Sequence, residues 1–439
     1  MRKVTFSGGI HPPHSKVFTE KCAIEVAEPP KTVYIPIRQH IGAPCEVVVN
    51  KGDEVKVGQL IAKPTGFVSA AIHSSVSGVV TKITEMPIPN GKDICVVIDN
   101  DFNETLHESV KPKGTVETLE PKEIIEIIKD AGIVGMGGAG FPLHVKLSPP
   151  PDKVDTIILN GAECEPFLTA DHRLMLENPD AIFKGLELMM KSVGIPKGHI
   201  GIEDNKPDAL KKMIEVSKNY PNIEVIGLQT KYPQGAEKQL INAVTGREVP
   251  SGALPMDAGA IVSNVATAAA VHDAVYLGMP LIKRVCTITG TMIKEPKNLL
   301  IRIGTMVDEI IAQCGGYNGK PGKFIMGGPM MGLSQPSDHV PSTKTTSGLL
   351  VFDEVQANLP DAENCIKCCK CVSICPIRLQ PMYISAYSLN EMFDKAEQFN
   401  ALDCIECGSC SFICPAKRPL LHSIRVAKRT ILANRRKGN

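Results

Sequence analysis

Of the 15 cysteines in this 439-residue chain, nine lie between Val355 and Asn439, while Cys22, Cys45, Cys95, Cys164, Cys286 and Cys314 are scattered through the rest. Clustering of that kind argues for metal ligation rather than a disulfide framework. The run Cys365-Ile366-Lys367-Cys368-Cys369-Lys370-Cys371-Val372-Ser373-Ile374-Cys375-Pro376 contains the spacing Cys-x-x-Cys-x-x-Cys-x-x-x-Cys-Pro, and a second run through Cys404, Cys407, Cys410, Cys414 and Pro415 repeats it in register. Three thiolates on one tight loop can reach three irons of a cubane, and proline after the fourth turns the chain away. Zinc needs only four thiolates, so eight in doubled register predict two [4Fe–4S] clusters, each relaying single electrons. Cys369 falls off the register and reads as a packed or spare thiol.

The doubled run resembles two-cluster ferredoxins, in which the fourth cysteine of each run ligates the other cluster. That resemblance implies Cys365, Cys368, Cys371 and Cys414 for one cluster, and Cys404, Cys407, Cys410 and Cys375 for the other. The segment between the runs, 381–400, reads as helical, which makes the module similar to the helical ferredoxins rather than the compact β type.

A second concentration of chemistry is Gly135-Met136-Gly137-Gly138-Ala139-Gly140, which satisfies G-x-G-x-x-G but follows a helical pattern rather than a strand. The ordinary Rossmann reading therefore loses ground. A glycine-dense loop still lets backbone N–H groups approach a phosphate or flat ring, with Lys146 as counter-charge; a plain tight turn is the alternative on the glycines alone. With Phe141-Pro142 and Lys146, then Asn160-Gly161-Ala162-Glu163-Cys164-Glu165-Pro166, Tyr232-Pro233-Gln234-Gly235-Ala236-Glu237 and Val262-Ser263-Asn264-Val265, the chain resembles the flavin and NADH site of the NADH-oxidising subunit of respiratory complex I. The resemblance implies that Gly135, Gly137, Gly138, Gly140, Lys146, Asn160, Glu163, Gly235 and Asn264 surround FMN. Phe141, Glu165 and Glu237 would face the nicotinamide nucleotide, with Phe141 and Glu165 as the catalytic candidates. An aromatic ring can stack there, and carboxylates accept hydrogen bonds from ribose hydroxyls while disfavouring an added phosphate, which favours NAD over NADP. Met136 stands where that pattern has Arg, Ala162 where it has Asp, Ala236 where it has Glu and Ser263 where it has Asn, departures that bear on the flavin's contacts, affinity and potential.

These residues need a multidomain α/β frame, at roughly one domain per 150 residues or finer. Residues 1–115 form the first unit: short β-branched runs with Gly52-Asp53-Glu54-Val55 through Ile61, then Ile72 through Val80, resemble the biotinyl/lipoyl-type barrel-sandwich domain. The modification lysine of those carriers would fall near 66–71, where there is none, so the reading is no biotin or lipoate and a structural or docking role. Residues 116–284 alternate helix and strand patterns, as a Rossmann-like layer with a largely parallel sheet requires. Residues 285–350 resemble the soluble-ligand-binding β-grasp domain, and the Pro/Ser/Thr-rich stretch 336–347 reads as a linker into the ferredoxin-like unit 351–439.

The 48 Lys and Arg balance 47 Asp and Glu, so no global field draws the chain to nucleic acid or lipid, and no nucleic-acid partner is expected. The apolar stretch 260–282 is broken by Asn264, His272 and Asp273, which excludes a spanning helix, and Met1 to Gly9 lack the apolar core of a signal peptide. Taken in order, the modules resemble the C subunit of Rnf-type ferredoxin:NAD oxidoreductases over essentially the whole length. That implies a peripheral subunit on the cytoplasmic face of the cell membrane, anchored by integral-membrane and other subunits of an ion-translocating complex and reaching ferredoxin through another subunit. FMN would exchange a hydride with NAD(H) and hand single electrons to the clusters. A cobalamin reductase of the propanediol-use type and a non-enzymatic relay or scaffold are the alternatives. His11 and His14 carry no assignment; the cationic C-terminal run suits an acidic partner, anionic lipid or a solvated helix face; the loop Gly327 to Gly332 is either ligand-facing or a turn.

Overall fold

Ile157, Ile158 and Leu159 are all fully buried, as a strand covered on both faces must be. In the computed structural model, which describes residues 4–437, that strand (Thr156–Gly161) lies inside a four-stranded parallel sheet. Its neighbours are Gly198–Glu203 on one side, followed outward by Ile223–Leu228, and Ala260–Asn264 on the other. The chain thus builds outward in one direction through three strands and then returns to the opposite side of the first. The crevice beyond the carboxyl ends of the first and fourth strands is a topological switch point, where open α/β sheets bind ligands. Around the sheet run α1 (Pro121–Asp130), α2 (Leu143–Lys146), α3 (Ala170–Glu177), α4 (Pro179–Val193), α5 (Pro207–Ser217), α6 (Glu237–Thr245) and α7 (Val265–His272). Ile124 and Ile128 of α1 and Ile182, Phe183, Leu186 and Met189 of α4 fill the core between them.

The barrel-sandwich unit pairs a four-stranded sheet (Thr32–Pro36, Gly91–Asn100, Gly78–Ile88, Glu54–Val55) with a three-stranded one (Cys45–Val47, Leu60–Pro64, Ile72–His73) over a core of Val33, Ile35, Ile61, Ile72, Val80, Val96 and Ile98. The residues ahead of its first strand pair with later units. Val4 bridges Leu228, Ile10 bridges Tyr232, and Ile24–Val26 pairs in parallel with residues 298–300 of the β-grasp sheet. The opening residues therefore lace across two later units, a placement that their Gly/Pro-rich composition carries no periodicity to announce.

The β-grasp sheet has six strands in the order Ile24–Val26, Lys297–Arg302, Lys283–Thr289, Gly348–Phe352, Lys323–Met326, Leu333–Gln335. The expected linker 336–347 is instead a packed seam: Val340, Ser342, Lys344 and Thr346 are buried. Lys344 Nζ donates to the carbonyls of Ala71 (2.7 Å) and Gly132 (2.6 Å), joining the barrel-sandwich and α/β units. Composition read the polar residues as solvent-seeking; here they satisfy buried backbone groups at a three-way junction.

The C-terminal unit is helical. The stretch between the cysteine runs forms two helices, Pro381–Leu389 and Phe393–Gln398, packed on Leu420–Lys437 through Ile384, Ala396, Ile424, Ala427 and Ile431. Among the described residues no helix is long and apolar enough to cross a membrane.

Candidate functional site

The glycine loop leaves α1 and doubles back: Val134 bridges Pro142, and the Gly135 N–H donates to the Phe141 carbonyl at 2.9 Å. Met136 is buried and anchors it, its N–H donating to Thr267 Oγ1 (3.0 Å) in the first turn of α7. At Gly137 a Cβ would stand 2.9 Å from that of Asn264, so only glycine permits this approach. Asn264 ends the fourth strand and caps α7, its Oδ1 accepting from the Ala266 N–H at 2.9 Å. A loop of exposed N–H groups thus meets a helix N-terminus at the switch point, the geometry that receives a phosphate. Two observations test the fit to FMN. No protein atom lies within 4 Å of where a Cβ at Gly138 would be, leaving the backbone open. The Ser263 hydroxyl beside the cap is buried with no hydrogen-bond partner. Both suit a ligand there. Lys146 Nζ donates to the Val262 carbonyl and to Glu237 Oε1, each at 2.8 Å, both side chains remaining partly open to solvent.

Asn160, paired in register with Asn264, lies one residue before the end of the first strand. Its Nδ2 donates to the Gly235 carbonyl (2.8 Å) and its Oδ1 accepts from Ala162 N–H (3.1 Å). Glu163 turns away into the start of α3, accepting from the N–H groups of Asp171 (2.7 Å) and His172 (3.3 Å), where a helix dipole favours an anion. It supports the site's wall.

Four groups that the sequence reading missed hold this wall, three of them buried and the fourth, Asp171, partly so. Lys16 Nζ donates to the carbonyls of Glu163 (2.9 Å), Glu165 (3.0 Å) and Leu168 (2.5 Å); burial lowers it to about 8 against the pull of Glu163. Lys206 Nζ donates to the Ala162 carbonyl at 2.6 Å. Asp171 Oδ2 accepts from Asn264 Nδ2 at 2.6 Å, and burial together with the Glu163 charge pushes its carboxyl up to about 7. Arg284 donates to the carbonyls of Lys344 (2.6 Å) and Met136 (3.4 Å) beneath the glycine loop. None stands in a motif, so spacing gave no signal for them.

Glu165 faces the β-grasp unit. Its carboxylate accepts from the N–H groups of Met330 (3.0 Å) and Met331 (2.9 Å), and burial pushes it up to about 7 although both amides pull it down. A Cβ at Gly328 would fall 2.2 Å from Glu165 Oε2, which explains the glycine at that position. Close by, Tyr232 is buried and its hydroxyl donates to the Cys407 carbonyl at 2.8 Å, tying the α/β unit to the second cysteine run.

Two cavities lie among the cysteines. One is lined by Cys404, Cys407 and Cys410 together with Cys375 from the first run. The other is lined by Cys365, Cys368, Cys369 and Cys371 together with Cys414 from the second. Cys407 and Cys410 are buried, whereas Cys365, Cys368 and Cys369 are exposed, so one cavity is inner and the other outer. N–H groups of Leu379 and Glu406 donate to the sulfurs of Cys375 (3.3 Å) and Cys404 (3.4 Å), bonds of the kind that tune a cluster. Among the described residues no His, Cys, Asp or Glu side chains converge tightly enough for a single metal ion. Thiols spread round a cubane-sized space fit the larger group.

Four family models match in chain order: the RnfC barrel sandwich hybrid domain over 4–103, the Nuo51 FMN-binding domain over 128–273, the SLBB domain over 285–334 and the 4Fe-4S dicluster domain over 357–415. These support FMN and iron–sulfur clusters as the chain's cofactors. A crystal structure of an NAD+-reducing [NiFe]-hydrogenase shares the fold, with a TM-score of 0.51 at 18% identity over 73% of this chain and 62% of that one. The C subunit of the Na(+)-translocating ferredoxin:NAD(+) oxidoreductase complex of Acetobacterium woodii is 54% identical over 99% of both chains. Its proton-translocating counterpart from Clostridium ljungdahlii is 52% identical over 97% of this chain and 93% of its own. The C subunit of the ion-translocating oxidoreductase complex of Rhodobacter capsulatus is 41% identical over 98% and 83%. With nearly its whole length matched and its units in the same order, the chain belongs to the C-subunit family of the ion-translocating ferredoxin:NAD(+) oxidoreductase complexes.

Proposed function

We propose that the chain binds FMN in the switch-point crevice and NAD(H) beside it, and relays single electrons through two [4Fe–4S] clusters to the other subunits of a membrane complex. When bound, FMN exchanges a hydride with NAD(H) and exchanges electrons one at a time with the clusters. Backbone N–H groups from Gly137 to Gly140, the α7 N-terminus and Lys146 supply positive potential for its phosphate, and Asn160, Gly235 and Asn264 shape the wall beside it. Phe141 and Glu237 stand at the open edge for the nicotinamide nucleotide. Glu165 reaches that nucleotide only by releasing the Met330 and Met331 amides. Cys404, Cys407, Cys410 and Cys375 hold the inner cluster, and Cys365, Cys368, Cys371 and Cys414 the outer one. The observation that carries this reading is the crossed lining of the two cavities, three thiols from one run and the fourth from the other. The subunit would sit peripherally on the cytoplasmic face, with ferredoxin met by another subunit.

The test is an anaerobic NADH titration of reconstituted protein, with iron and sulfide assayed first. About eight of each per chain are expected for two cubanes, and NADH should bleach the flavin. Protein that loads with clusters yet binds no FMN, or whose flavin ignores NADH, is a relay module and ends the hydride-exchange reading.

A further inference from the structure

The feature of the crevice that the proposed chemistry leaves unused is Asp171. It lies in the first turn of α3, partly buried, and its carboxylate takes one side-chain hydrogen bond, the 2.6 Å donation from Asn264 Nδ2. Since the other end of the same amide caps α7, Asp171 fixes which way Asn264 points. Asn264 in turn presses against Gly137, so the carboxylate stands one residue behind the glycine loop. The charged groups around it come from three other elements. Glu163, on the loop after the first strand, is the negative neighbour; Arg284, on the β-grasp strand Lys283–Thr289, and Lys206, on the loop after the second strand, are the positive ones. The adjoining His172 is buried and pairs with Asp208 at 2.8 Å. None of these donates a hydrogen bond to the carboxylate, and a partly buried carboxylate with so few donors and a second carboxylate beside it binds a proton readily.

We propose that Asp171 is a positioning residue of the flavin site that also accepts one proton from solvent when the flavin is reduced. The inference rests on the reading that FMN occupies this crevice. Hydride transfer from NADH brings two electrons and one proton, leaving the site one negative charge richer. A carboxylate one residue behind the loop answers that charge by becoming a neutral acid, with the proton drawn from bulk water and no bond formed to the flavin. The sign follows from desolvation and the Glu163 charge, which both raise the Asp171 carboxyl: more of it is ionised as pH rises, so the extra uptake belongs to the alkaline side.

The experiment compares the FMN-loaded wild type, Asp171→Asn and Asp171→Ala. Proton uptake per flavin reduced is measured in weakly buffered solution, and FMN affinity by fluorescence quenching. Asparagine keeps an oxygen for Asn264 but cannot titrate. The expected result is that, with both proteins saturated with FMN, Asp171→Asn takes up fewer protons per flavin reduced than the wild type at about pH 8, by up to about one, the two agreeing at about pH 5.5. Asp171→Ala should bind FMN about tenfold more weakly, because Asn264 is freed. An infrared difference spectrum of flavin reduction should show a carboxylic acid band that Asp171→Asn lacks. Equal proton uptake by wild type and Asp171→Asn at every pH overturns the proposal even if FMN binds. A wild type that binds no FMN overturns the underlying reading instead.

Discussion

The two redox regions of this chain are built in opposite ways. The cluster module draws its thiols from two short runs of local sequence, and Cys371 and Cys410 with Cys375, Cys404 and Cys414 are themselves part of its small core. The flavin crevice gathers strand ends, a glycine loop and a β-grasp loop from across the chain. Its walls are held by protein groups: Lys16, Lys206, Asp171 and Arg284 bind its backbone and caps. A site whose ligands are also its core depends on the metal to fold, whereas one braced by buried hydrogen bonds is preorganised for a ligand that comes and goes.

The sharpest way to break that contrast is to remove the metal. Anaerobic chelation should cost the C-terminal unit most of its helical signal and open it to protease between Phe352 and Cys365, while the α/β unit stays resistant. Equal protection of both units would show the module folds without clusters. Iron content sharpens the point: Cys407→Ala should lose about half the iron, and Cys369→Ala should keep all of it, since it lies off the register.

On the flavin side the largest effect should come from Lys16→Met, which strands three carbonyls and should destabilise the chain by about 3 kcal/mol near neutral pH in urea titrations followed by circular dichroism. Its pH dependence has a defined sign. A lysine at about 8 when folded and 10.5 when unfolded releases protons on folding, so wild-type stability should rise with pH across that window relative to the variant. Glu165 gives the reverse. A carboxyl raised to about 7 binds a proton on folding, so the wild type should lose on the order of 2 kcal/mol between pH 5 and 8 that Glu165→Gln does not lose. The smallest effect is kinetic: Phe141→Ala should raise KM for NADH about tenfold with FMN content unchanged, and an unchanged KM would remove Phe141 from the nucleotide edge.

This contrast also explains what the sequence could tell. The cysteine register and the alternation of helix and strand over 116–284 were legible because spacing and periodicity are local properties. Residues 336–347 were misread because Ser, Thr and Lys look alike to composition whether they meet water or bury against carbonyls. Lys16 was invisible for a related reason: its three acceptors lie some 150 residues away, and nothing beside it is patterned. Glu165 was read in its motif, but only the fold shows that a loop from the next unit already holds its carboxylate.

The lacing of the opening segment has a consequence for how the chain is made. Cys22 lends its carbonyl to the amide of Asn298, a partner 276 residues further along. At the usual pace of synthesis, about 5–20 residues per second, the ribosome needs roughly tens of seconds to produce that partner. The barrel-sandwich unit can close early on its own contacts, while the segment ahead of it waits with an unpaired strand edge. Assembly of the β-grasp sheet is therefore the late step that fastens the N-terminus, and a chaperone with affinity for extended apolar peptide would find its longest opportunity there.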